Sequence, residues 1–258
     1  MTLTPVDDIN DPELLIYQQL RDKAFNADNS FIADSPKVVN VLLESDIEVI
    51  SLLATPEYYE QYAHLIEQRD IPTLYVAKKK VMEGIVGHKV HHNCMMHGVR
   101  PPEHPLEQLG GQIIMLDEIS STENIGSIAR SAAAMGVNSY LLPKQGPHPF
   151  NRRALRVSMG LASRLKTHQY DDIFETLAIL KARGYTIYAA EVTPDATLLS
   201  QLKPAEKWVL LMGHEGKGLA PEVIKACDEA VQIEMEPYIK SFNVAVAASI
   251  MMYQLKNR

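Results

Sequence analysis

Cysteine, tryptophan and phenylalanine are scarce in this chain of 258 residues, with 2, 1 and 5 copies. The two cysteines, Cys94 and Cys227, lie far apart and offer no disulfide framework, so a reducing cytoplasm is the expected setting. No apolar run approaches the ~20 residues that a membrane-spanning helix needs. The opening MTLTPVDDINDPELL is acidic and has no apolar core, which is unlike a secretory signal. GxGxxG and the P-loop are also missing, which removes two common ways of gripping nucleotide phosphates. At 46% hydrophobic and 22% charged, the composition that remains is that of a soluble globular protein.

The net charge of -7 excludes a uniformly basic nucleic-acid binder, yet it hides an asymmetry. Residues 1–109 are strongly acidic, whereas residues 110–258 are close to neutral. Within the second part, Asn151 to Gln169 contains Arg152, Arg153, Arg156, Arg164 and Lys166 and no acid. These five are candidate contacts to a phosphate backbone, because screening leaves a ligand sensitive mainly to charge within ~8–10 Å. A helix with scattered surface charge would read the same way.

Prolines and glycines crowd the stretch GVRPPEHPLEQLGG, from Gly98 to Gly111, and prevent one regular element there. A linker at that point separates an expected first domain, residues 1–105, from a second, residues 110–258. The first domain reads as a small α/β sandwich. Its helices start at Pro12, after Ser35-Pro36 and at Pro56, and its strands are EVISLLA and TLYVA. In the second domain the strand candidates are QIIML, SYLLP, YTIYAAE, WVLLMG and AVQIEM. Helices are expected over Asn124–Met135, Asp172–Arg183 and Pro221–Ala226, and from about Asn243. Strands this apolar are usually covered on both faces, which points to a parallel sheet flanked by helices.

Ligands of such sheets bind beyond the carboxyl ends of the strands. Three post-strand segments combine small and polar residues just before a helix. The first contains Asn124, Gly126 and Arg130, with Asn124 able to cap its helix. The second is the glycine-dense turn Gly213-His214-Glu215-Gly216-Lys217-Gly218. The third joins Ser241-Phe242-Asn243 to an alanine-rich helix, with Ser241 or Asn243 as its cap. Each alone is also what an ordinary capped helix or tight turn requires. A separate cluster of His88, His91, His92, Cys94 and His97 invites a zinc site, but one cysteine and an adjacent histidine pair suit zinc poorly. A polar loop facing RNA or solvent is the better reading, and no metal is expected.

Taken in order and at these spacings, the segments resemble the motifs of the SpoU (TrmH-like) branch of the SPOUT RNA methyltransferases. The pattern N-x-G-x-x-x-R is matched by Asn124, Gly126 and Arg130, and G-x-E-x-x-G by Gly213, Glu215 and Gly218. The third motif is matched by Ile233, Met235, Ser241, Asn243, Val244, Val246 and Ala247. RVSMGLASRL resembles the family's connecting segment, and residues 30–105 loosely resemble the RNA-binding domain often fused in front. Thr122, Glu234 and Phe242 depart from the usual Pro, Pro and Leu.

The resemblance implies an α/β-knot fold, with a trefoil knot in the parallel sheet of the second domain. It also implies a homodimer whose active site is completed across the interface. S-adenosylmethionine is the implied cofactor, held by Leu211, Gly213, Gly218, Ile233, Met235, Phe242 and Val244. The implied reaction is methyl transfer to a ribose 2′-OH of rRNA or tRNA. Arg130, Asn124, Glu215, Ser241 and Asn243 are the implied catalytic residues, with Arg130 either a phosphate anchor or a base. Two other possibilities stand beside this one: a non-catalytic RNA-binding or ribosome-assembly protein on the same fold, and a dinucleotide-dependent α/β enzyme.

Overall fold

A computed structural model describes residues 1–18 and 29–257. The chain divides into two compact units. One comprises Met1–Pro102 together with Phe150–Ser163, and the other comprises Glu103–Pro149 together with Arg164–Arg258. The break near residue 102 falls within the proline-rich stretch. The return of residues 150–163 to the first unit departs from the expected division at 105 and 110, and its cause lies in side chains. Phe150 meets Phe31 edge-on at 5.3 Å between ring centroids. Arg152 pairs at 2.6 Å with Asp34, which is buried and needs a cation there.

The first unit carries a five-stranded mixed sheet in the order β1-β4-β3-β5-β2. Its strands are β1 (Thr4–Pro5), β2 (Ser30–Asp34), β3 (Glu48–Ala54), β4 (Thr73–Val76) and β5 (Cys94–Val99). The helices are α1 (Pro36–Leu43), α2 (Pro56–Ile66), α3 (Lys79–Val86) and α5 (Arg152–Ser158), and a 3₁₀ segment covers Pro12–Gln18. Proline opens α1 and α2, where its missing N–H costs nothing. Lys78-Lys79-Lys80 falls at the start of α3.

The second unit is built on a seven-stranded sheet in the order β10-β12-β9-β11-β6-β7-β8, with every pairing parallel. The strands are β6 (Gln112–Leu116), β7 (Ser139–Pro143), β8 (Lys166–Tyr170), β9 (Thr186–Ala190), β10 (Thr197–Leu198), β11 (Trp208–Met212) and β12 (Glu229–Gln232). They are flanked by α4 (Thr122–Met135), α6 (Ile173–Ala182), α7 (Pro221–Ala226) and α8 (Val244–Lys256). Central β11 is buried along its whole length, as a parallel strand covered on both faces must be. Ile125, Ile128, Ala129 and Ala132 form the buried stripe of α4 at the expected spacing.

Register decides where the loops meet. Met212 lies opposite Leu116 on one side and Ala190 on the other, and Ala190 lies opposite Val231. Four neighbouring strands therefore end level. The segments that follow β6, β9, β11 and β12 emerge together at one edge of the sheet.

Candidate functional site

The glycine-dense turn closes on itself directly after β11. The Gly218 N–H donates to the His214 carbonyl at 2.9 Å, and the His214 ring Nδ1 accepts from the N–H groups of Gly216 (2.9 Å) and Lys217 (3.2 Å). A Cβ on Gly213 would lie 2.5 Å from the Gly218 carbonyl carbon and 2.6 Å from the Leu219 nitrogen, so the ring admits no side chain there. Gly218 sits at φ +68° and faces the Glu191 carboxylate, so glycine is required for conformation and for space.

Glu215 reaches from this turn to the start of α4. One carboxylate oxygen accepts from the Ser121 N–H (3.0 Å) and the Asn124 amide (3.0 Å). The other accepts from the Ser120 N–H (3.1 Å) and the Ser120 hydroxyl (3.1 Å). Burial pushes its pKa up, but the donors from Asn124, Ser121 and Ser120 outweigh burial and hold it at about 2. Glu215 is thus a fixed anion satisfying helix-terminal donors, which also complements the positive end of α4. With all four hydrogen bonds directed at it, its role is to hold the loop rather than to take a proton.

Asn124 is not the cap of α4, as its position suggested. The helix begins two residues earlier, and the Ser121 hydroxyl accepts from the Asn124 N–H at 3.3 Å. That frees the Asn124 side chain, whose oxygen accepts from the Asn243 amide at 3.1 Å. Asn243 in turn caps α8, accepting from the N–H groups of Ala245 (2.9 Å) and Val246 (3.3 Å). Glu215, Asn124 and Asn243 therefore form a continuous hydrogen-bonded chain that ties all three segments together.

Beside this chain lies a cavity of about 270 Å³. Gly213, Glu215, Gly218, Ile233, Met235, Ser241, Phe242 and Val244 all line it, drawn from the second and third segments. Leu211 does not; it is fully buried in β11, within the core beneath the loop. The cavity also takes in residues that the sequence pattern did not single out, above all Glu191 and Val192. Glu191 follows β9, and the rule that ligands sit past strand ends would have nominated it had that loop been considered with the other three.

Arg130 is exposed on α4 and is not among the cavity-lining residues. The five basic residues are divided between the units: Arg152, Arg153 and Arg156 fall in the first, Arg164 and Lys166 in the second. Asp34 pairs with Arg152 and stands 3.7 Å from Arg156, so part of this charge is neutralised. Lys166 donates to the Gln108 carbonyl at 2.9 Å. In the histidine-rich stretch, Cys94 is buried in β5 and its thiol pKa is pushed well up by burial. Among the described residues, no three His, Cys, Asp or Glu side chains are placed to hold a metal ion.

The model of the SpoU rRNA methylase family matches residues 111–253, which span all three segments. The chain belongs to this family. A relative from Mycolicibacterium paratuberculosis, named an uncharacterized tRNA/rRNA methyltransferase, is 32% identical over 161 residues, covering 61% of this chain and 52% of the relative. The chain thus spans about half the length of that relative. A Mycobacterium bovis protein of the same designation is 29% identical over 229 residues, covering 86% of this chain and 79% of its own. Among solved structures, an AdoMet-bound rRNA methyltransferase from Sinorhizobium meliloti matches with a TM-score of 0.85 at 22% identity, covering 98% of this chain and 97% of that one. The SpoU methyltransferase AviRb from Streptomyces viridochromogenes matches at 0.79 and 19% identity, covering 95% and 96%. At these identities the two structures establish that the fold of this SpoU chain is shared.

Proposed function

We propose that this chain is an S-adenosylmethionine-dependent methyltransferase acting on a ribose 2′-OH of rRNA or tRNA. The observation that supports this most directly is the Glu215–Asn124–Asn243 chain, which ties the first segment to the two segments that line the cavity. The residues present suit the donor. At about 270 Å³ the cavity is close to the ~300 Å³ at which small-molecule sites begin. Ile233, Met235, Phe242 and Val244 supply apolar walls, and Gly213, Gly216 and Gly218 bring the glycine turn into the lining.

When bound, S-adenosylmethionine supplies an activated methyl group on a sulfonium. What the chain must add is alignment of the 2′ oxygen with that methyl and an exit for the hydroxyl proton. In the transfer the ribose oxygen would gain the methyl and its proton would pass to solvent water, the carbon–sulfur electron pair staying with the donor. In this reading Asn124, Asn243 and Ser241 hold loop and ribose geometry, and Glu215 fixes the loop. Arg130 aligns the RNA phosphate, since an ionised guanidinium is no base. Its exposure on α4 lets it face RNA or the cavity of a second copy. RNA is chosen over DNA because the accepting group is the one DNA lacks.

Several features belong to the same proposal. The first unit binds RNA, and phosphate contacts come from Arg152, Arg153 and Arg156 in that unit and from Arg164 and Lys166 in the second. The second unit contains a trefoil knot. The protein is a homodimer, supported by the exposed apolar row of Phe242, Val246, Ile250 and Tyr253 on and before α8. Two free cysteines suit the cytoplasm. The test is methyl transfer from labelled S-adenosylmethionine to total RNA, with Arg130→Ala alongside. Transfer by the parent and a loss of about 100-fold or more in the variant, with donor binding kept, is the expected result. Donor-free RNA binding without transfer would make the chain a binding or assembly protein instead.

A further inference from the structure

The Glu191 carboxylate is the one acidic group lining the cavity that none of the three motif segments supplies. It stands where β9 ends, half-buried. One oxygen accepts from the Leu219 N–H at 2.8 Å and the other from the Val192 N–H at 3.0 Å. Through Leu219 it fastens the far side of the glycine turn to the neighbouring strand, and Gly218 is left without room for a Cβ because Glu191 occupies it. Glu215, also lining the cavity, adds a second carboxylate. Lys217 is the opposing charge on the wall, and it is exposed to solvent. As a lining residue, Glu191 places its charge within the ~8 Å felt in physiological salt for a ligand group seated against its part of the wall.

We infer that Glu191 makes the cavity selective for a cationic methyl donor over its neutral thioether product, while anchoring the turn that holds either one. The inference rests on the cofactor reading above. The donor carries a positive sulfonium and S-adenosylhomocysteine, the product, does not; the two otherwise share every charged group. Attraction between carboxylate and sulfonium therefore acts on the donor alone, favouring loading of donor and release of product. The anchoring role acts on both ligands equally. Glu191 is in these terms a positioning and selecting residue, and no bond is made or broken at it.

The experiment is calorimetric titration of the full chain with S-adenosylmethionine and with S-adenosylhomocysteine, for the parent, Glu191→Gln and Glu191→Asp. Glutamine has one acceptor oxygen for two N–H groups, so the first variant loosens the turn and weakens both ligands. Beyond that common loss, the preference for donor over product is expected to fall three- to tenfold, about the size of a partly screened charge–charge interaction. Glu191→Asp keeps the charge and is expected to keep most of the preference. If Glu191→Gln weakens both ligands by one factor, Glu191 is an anchor only and the inference is wrong. Should Glu191→Gln fail to fold, the parent alone decides: its preference must shrink as salt is raised, and a salt-independent preference overturns the inference. A parent that binds neither ligand overturns the cofactor reading itself, a result distinct from binding both without preference.

Discussion

At the scale of single residues, the site is governed by how donors and acceptors are matched at the ends of helices and turns. Glu215 is the clearest case, because its carboxylate answers four donors at once. Its pKa is lowered from 4.5 to about 2, so the anion binds the folded state more favourably than the unfolded one. That contribution to stability is complete above about pH 4.5 and is lost as the pH falls towards 2. Glu215→Gln is therefore expected to be less stable at pH 7 and to show a flatter acid limb between those two values, as read by denaturation at a series of pH values. An unchanged acid limb would mean that the four hydrogen bonds do not persist in solution. Gly213→Ala is expected to abolish donor binding while leaving the sheet folded, since its Cβ would strike backbone 2.5 Å away that has no rotamer to escape into; calorimetry and circular dichroism check the two halves of this. In the first unit, Asp34 is buried against Arg152. Asp34→Ala strands that partially buried guanidinium and is expected to cost roughly 3–5 kcal/mol in chemical denaturation.

At the scale of elements, Asn243 has two duties: it caps α8 and it bonds Asn124. Asn243→Ala is expected to cost about 1 kcal/mol for the cap and to weaken donor binding through the loosened third segment. Asn243→Ser, which still caps but cannot reach Asn124 with an amide, is expected to recover the stability and not the binding. The apolar strands were legible in the sequence nearly to the residue: β3, β6 and β7 fall on the segments read from hydrophobicity alone. Strand β8 was not, because KTHQY contains no apolar run; it is a polar edge strand completed by pairing with β7. Strand β2 was hidden beside the Ser35-Pro36 helix start, and β5 behind its neighbouring histidines. The division of the chain was hidden too, since residues 150–163 join the first unit through Phe31, Asp34 and Val41, contacts that no local pattern announces. In the site, motif spacing identified Asn124, Glu215 and Asn243. It did not show that Asn124 bridges the other two, because that depends on the level ends of β6 and β11.

At the scale of the whole molecule, the row of Phe242, Val246, Ile250 and Tyr253 leaves one side of α8 apolar and open. A second copy of the chain is the occupant proposed for it, and Val246→Glu is expected to turn a dimer into a monomer in sedimentation and to remove transfer activity with it. A parent that sediments as an active monomer would contradict this. RNA binding is expected to weaken steeply with salt, and substitution of Arg153 or Arg164 by Ala to reduce the salt slope by about 1 each if these side chains meet phosphates. The central claim is that the cavity presents a methyl group to a sugar oxygen. Its most direct test is to methylate RNA with donor labelled on the methyl group, digest the product to nucleosides and separate them. Label in a 2′-O-methyl nucleoside is the expected result; label on a base, or an RNA that stays unlabelled while the donor binds, would contradict it.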